Sequence, residues 1–65
     1  MRWRVVKDGK FLTMDFRATT GECRWWWGPA ALAYSWETRE EAAEVYEKVK
    51  ANVQNMGGGE IAEAA

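Results

Sequence analysis

Three consecutive tryptophans, Trp25-Trp26-Trp27, bounded by Arg24 and by Gly28-Pro29, set the tightest limit on how this chain can fold. Successive side chains of a strand leave on opposite faces. A strand here sends Trp25 and Trp27 one way and Trp26 the other, so one buried face cannot take all three. The chain has 65 residues, room for one domain, and a domain of this size buries only about 60% of its unfolded surface. With one cysteine and no histidine it forms neither an internal disulfide nor a structural zinc site. Five Trp, two Tyr and two Phe supply the core, each able to bury about 150–250 Å². Self-association is the remaining route to stability, and a homo-oligomer is expected.

Asp8-Gly9 is a strong signal for a two-residue hairpin, because both positions of a type I′ turn need positive φ. That turn predicts Lys7 opposite Lys10, Val6 opposite Phe11, Val5 opposite Leu12, Arg4 opposite Thr13, Trp3 opposite Met14 and Arg2 opposite Asp15. One face then collects Trp3, Val5, Leu12, Met14 and Phe16. The other collects Arg2, Arg4, Val6, Phe11, Thr13 and Asp15, with Arg2 and Asp15 as an opposite-charge pair. A second two-residue turn at Thr20-Gly21 pairs Phe16 with Trp25, Met14 with Trp27 and Ala18 with Cys23. Trp25 and Trp27 then join the apolar face, and Arg24 and Trp26 the opposite one. This register sets Arg17 against Arg24, a like-charge pair, and a loop of three or four residues would shift it. Gly28-Pro29 ends the third strand. Residues 30–36 read as an extended segment or fourth short strand leading into a helix, with one helical turn at the Ala-Ala-Leu-Ala stretch as the alternative.

Thr38 followed by Glu41 is a capping box. Ala42, Val45, Tyr46, Val49 and Val53 then follow the i, i+3, i+4, i+7 spacing of one apolar helical stripe. The helix is expected to run to about residue 54 and to be terminated by Gly57-Gly58-Gly59. The whole predicts an α+β fold, a three- or four-stranded antiparallel β-meander with one C-terminal α-helix packed on one face, in the order β-β-β-α. Residues 1–56 are expected to form a single domain and residues 57–65 a glycine-rich flexible tail.

Net charge is −1 and the pI about 5.3, which argues against a duplex-DNA binder. The charge is uneven: Arg2, Arg4, Lys7, Lys10, Arg17 and Arg24 load the first strands, and Glu37, Glu40, Glu41, Glu44 and Glu47 the helix region. No apolar run approaches the 18 or so residues of a membrane span, no signal-peptide core follows Met1, and a lone Cys23 suits a reducing compartment. A cytoplasmic location is expected. Without histidine, neither Ser35, the threonines nor Cys23 has an activating base, and the glutamates read as a solvated helix face. No catalytic residue, cofactor or metal site is expected. The surface that remains is the outer sheet face, where Arg2, Arg4, Phe11, Arg17, Arg24 and Trp26 are the expected ligand- or partner-binding residues. Guanidinium planes stack on aromatics and grip carboxylate or phosphate, and Arg and Trp are enriched in protein–protein hot spots. Trp25 and Trp27 are expected in the core. Trp36 is expected to pack over the first helical turn near Ala42 and Tyr46; the alternative sets Trp27, Tyr34 and Trp36 around Gly28-Pro29 as a secondary pocket between the third strand and the helix start.

Two stretches carry a resemblance. Trp3-Arg4-Val5-Val6-Lys7-Asp8-Gly9-Lys10-Phe11-Leu12 resembles the opening hairpin of many small phage-encoded proteins, and Ala33-Tyr34-Ser35-Trp36-Glu37-Thr38-Arg39-Glu40-Glu41-Ala42 is similar to the start of their terminal helix. The resemblance covers about residues 3–50 and leaves out the triple tryptophan. It implies a small non-enzymatic protein that blocks or sequesters something in the host. Three functions follow as expectations: an oligomer that sequesters a nucleotide-type signal of a defence system, a protein–protein inhibitor of anti-CRISPR type docking on a host or defence protein, or single-stranded nucleic-acid binding.

Overall fold

The computed structural model describes residues 2–64. Its elements are β1 (Arg2–Lys7), β2 (Lys10–Arg17), β3 (Glu22–Gly28), a 3-10 turn (Ala30–Leu32), α1 (Arg39–Asn52) and β4 (Glu60–Ala64). The four strands form one sheet in the order β3-β2-β1-β4, antiparallel throughout, with α1 on one face. Met1 and Ala65, the ends of the expected domain and tail, lie outside the described residues.

The β1–β2 turn forms as its residues dictate. Asp8 and Gly9 both take positive φ, 49° and 78°, and Val6 and Lys7 face Phe11 and Lys10. Beyond Val6 and Phe11 the strands part, so the expected Val5–Leu12, Arg4–Thr13, Trp3–Met14 and Arg2–Asp15 pairs do not form. Residues 34–36 lie between the parted strands and take their main-chain hydrogen bonds. Tyr34 N donates to Leu12 O (3.0 Å), Trp36 N to Trp3 O (2.9 Å) and Trp3 N to Trp36 O (2.8 Å). Arg2 turns to this segment instead of Asp15: its Nε donates to Ser35 Oγ (2.7 Å) and its terminal nitrogen to Ser35 O (2.9 Å). Both readings of residues 30–36 therefore have a share, a helical turn first and an extended stretch after it. The wedge satisfies backbone groups of its own that would otherwise go unpaired, and it delivers Trp36 to the core.

The β2–β3 register is displaced by two residues from the expected one. Met14 pairs with Trp25, Leu12 with Trp27, Thr13 with Trp26 and Phe16 with Cys23. The connection is the four-residue 18–21 loop, closed by Gly21 N donating to Arg17 O (2.7 Å) with Gly21 at φ 72°. A slide of two residues leaves every side chain on its expected face. It also replaces the Arg17–Arg24 juxtaposition with Arg17 opposite Glu22 and Asp15 opposite Arg24.

Thr38 caps α1, its Oγ1 accepting from Glu41 N (3.1 Å). Ala42, Tyr46 and Val49 are buried, with Val45 and Val53 half-buried on the flank of the stripe. Lys50 lies 2.8 Å from Glu47, and this hydrogen bond holds the lysine above its usual pKa. The helix stops at Asn52, ahead of the triglycine: Val53 is extended (φ −125°) and Asn55 takes the left-handed conformation (φ 64°) that commonly closes a helix.

The expected flexible tail is instead the fourth strand. From Arg2–Ala64 to Val6–Glu60, β4 pairs along most of β1, with Ile61 opposite Val5. Its docking rests on Tyr46, whose hydroxyl donates to Met56 O (2.6 Å) and accepts from Gly59 N (2.8 Å). Gly59 is obligatory for contact rather than flexibility, since a Cβ there would sit 2.7 Å from Tyr46 Oη, 2.7 Å from Val5 Cγ1 and 2.8 Å from Trp27 Cη2. The core is Val5, Leu12, Trp36, Ala42, Tyr46, Val49 and Met56; Met56 joins it because the chain turns back here to start β4.

Candidate functional site

The presence of β4 decides where the helix lies. α1 packs over β1 and β4, at one side of the sheet, and leaves the β3 side of the inner face open. Between that side and the helix runs a groove of about 270 Å³ lined by Trp25, Val45, Lys48, Val49, Asn52 and Val53. The inner face continues past it to Phe16, 61% exposed, and to the exposed Cys23, which pairs with Phe16. β3 is an outermost strand, so one row of its backbone N–H and C=O groups has no ladder partner. Trp25 is braced from behind by Tyr34, edge to face at 5.8 Å, and Tyr34 by Trp36 at 4.9 Å. A rigid indole, an apolar trough and an unpaired strand edge thus occur side by side.

The outer face holds the sequence-predicted residues in a different arrangement from a free Arg/Trp surface. Arg4 stacks its guanidinium over Phe11, 4.4 Å from the ring centroid. Trp26 is half-buried, like Trp25 and Trp27. A Cβ at Gly28 would be 2.8 Å from Trp26 Cζ3 and 3.0 Å from Thr13 Oγ1, so the indole occupies the space over Gly28 and beside Thr13. Thr13 is only 2% exposed, although its strand faces outward there. Arg4 Nε and Trp26 Nε1 are buried without a hydrogen-bond partner. Arg17 and Arg24 are exposed, opposite Glu22 and Asp15, and Arg2 is engaged by Ser35. The fold therefore brings Arg4, Phe11 and Trp26 together in the middle of this face and sets Arg17 and Arg24 towards the 18–21 loop, with acidic residues beside them.

The alternative Trp27–Tyr34–Trp36 pocket is not assembled. Trp36 is 6% exposed in the core with Ala42 and Tyr46, as expected. Tyr34 belongs with Trp25, and Trp27 lies against Tyr46, edge to face at 6.3 Å, with its Nε1 donating to Asn55 O at 3.4 Å. The two-residue register shift is the cause, because it moves Trp27 from Met14 to Leu12 and so towards the end of the helix. The groove residues Val45 and Val53, and Phe16 beyond them, were visible in sequence only as members of apolar faces. The signal that marks them is surplus: a stripe wider than the part of the sheet that one short helix covers.

Among the described residues no three His, Cys, Asp or Glu side chains cluster closely enough to hold a metal ion, and no helix is long and apolar enough to cross a membrane. No protein-family model matches the chain, and comparison with curated proteins and with solved structures finds none similar to it.

Proposed function

We propose that the protein is a non-enzymatic binding module that docks on another protein through the open edge of β3 and the Trp25 groove. The observation that carries this reading is the off-centre helix, which leaves an apolar trough beside unpaired strand backbone. A partner strand added to β3 gains main-chain hydrogen bonds from the edge, and an apolar side chain from it fills the space between Trp25 and Val45, Val49 and Val53. Trp25, held by Tyr34 and Trp36, is pre-ordered, so little side-chain freedom is lost on binding. The resemblance to small phage-encoded proteins makes a host or defence protein the partner class, and the action steric inhibition.

The test is capture from bacterial lysate by tagged full-length chain. Wild type is expected to return one stoichiometric protein, Val53→Asp and Trp25→Ala to lose it, and Arg17→Ser on the outer face to keep it, with circular dichroism confirming that each variant is folded. Capture that survives both groove substitutions refutes the docking site. Native mass spectrometry showing a dimer that Val53→Asp dissociates would seat a second copy in the groove and replace the partner reading.

A further inference from the structure

At the hairpin end of the inner face, a shallow cleft of about 200 Å³ is lined by Lys7, Asp8, Lys10 and Trp27. It shares no residue with the Trp25 groove and does not depend on protein docking there. Lys7 and Lys10 are direct cross-strand partners, and like charges placed opposite one another destabilise a sheet. Neither is neutralised: among the described residues the ion pairs are Lys48–Glu44 and Lys50–Glu47. Lys7 is also held in place. Its stem passes the backbone of Gly58 (a Cβ there would lie 3.4 Å from Lys7 Cε), and its Nζ sits 5.7 Å from the centroid of the Trp27 indole. Trp27 is fixed in turn by Tyr46 and the Asn55 carbonyl.

We propose that this cleft binds a small phosphomonoester, its phosphate held between Lys7 and Lys10 and its planar body laid against Trp27. Two ammonium groups match a phosphate dianion, and lysine binds phosphate as a point charge, whereas planar bidentate recognition of a carboxylate calls for arginine, which is absent here. The indole supplies a stacking surface indifferent to the identity of the ring. The volume lies below the roughly 300–1,000 Å³ of drug-sized sites, which limits the ligand to a phosphate with one ring system in contact. Asp8 is the one carboxylate on the lining and opposes the charge of the lysines.

The experiment is a titration of the ¹⁵N-labelled full chain with AMP, read by the backbone amides and the Trp indole N–H signals. Shifts are expected at residues 7–10 and at the Trp27 indole, with a dissociation constant on the order of 1 mM or tighter and weakening with added salt. Adenosine should produce none, and inorganic phosphate should bind more weakly than AMP. Lys10→Gln should weaken AMP binding by up to about thirtyfold, the change one unit charge supplies against a dianion at about 4 Å in water, and Asp8→Asn should tighten it. Both residues are exposed, and Asn tolerates the positive φ of position 8, so the fold is retained. Equal binding of adenosine and AMP, shifts centred on Arg17 and Arg24, indifference to Lys10→Gln, or no shift at all would each overturn the proposal.

Discussion

Tyr46→Phe isolates the joint between the helix and the fourth strand. The ring, 5% exposed, stays in place against Trp27, and only the hydroxyl is lost. That hydroxyl makes two hydrogen bonds to backbone groups, 2.6 Å to Met56 O and 2.8 Å to Gly59 N. Each is worth about 0.5–1.5 kcal/mol net, and a backbone group left buried without a partner costs about 1–3 kcal/mol. Met56 is 8% exposed and Gly59 half-buried, so water compensates little at the first and partly at the second. The expected loss is about 2–4 kcal/mol, a large share of the total for a domain this small. At roughly 4–8 °C per kcal/mol the melting temperature should fall by about 8–30 °C. Urea denaturation of the two proteins measures the loss, and hydrogen exchange locates it: amides of β4 should lose protection more than those of the β2–β3 ladder. A loss below about 0.5 kcal/mol, or unchanged protection in β4, would show that β4 is held by its ladder to β1 alone and would refute the role given to Tyr46.

The glycines of the 57–59 run should separate sharply. Gly59→Ala drives a methyl into Tyr46, Val5 and Trp27 and should cost about 1–3 kcal/mol, whereas Gly57→Ala meets nothing within 4 Å and should change urea stability by under about 0.5 kcal/mol. Equal effects would mean that the run is a plain linker. Trp26→Phe removes an N–H buried without a partner and, with it, the Cζ3–Cη2 edge that lies over Gly28. Relief of the unpartnered N–H and loss of indole packing oppose one another, so thermal melting should show a change within about 1 kcal/mol; a larger loss would show that the indole's packing over Gly28 outweighs the buried N–H.

Much of the chain follows from signals that act over a few residues. Asp8-Gly9 forms its turn because both residues accept positive φ, and Thr38 starts the helix because its hydroxyl meets an amide three residues on. Alternation assigns each strand residue to its face, and since the period is two, the assignment survived a register shift of two. The choice between registers was not local. A two-residue and a four-residue loop are both feasible at residues 18–21, and the pairing of Arg17 with Glu22 and Asp15 with Arg24 exists only once the strands meet.

Tertiary structure alone decided the rest. The parting of β1 from β2 depends on residues 34–36 arriving from beyond β3 to take the hydrogen bonds of Trp3 and Leu12. β4 carries one large apolar residue, Ile61, too little to mark a strand; it forms because the free edge of β1 and the hydroxyl of Tyr46 supply partners remote in sequence. From β4 follows the offset of the helix, and from that offset the open groove at Trp25. The three tryptophans could be divided between two faces by alternation, but their separate fates could not: Trp25 on the groove, Trp26 laid over Gly28, Trp27 between Tyr46 and Lys7. A side chain's face is a property of its own backbone, whereas what covers it depends on segments that reach it only when the whole chain has folded.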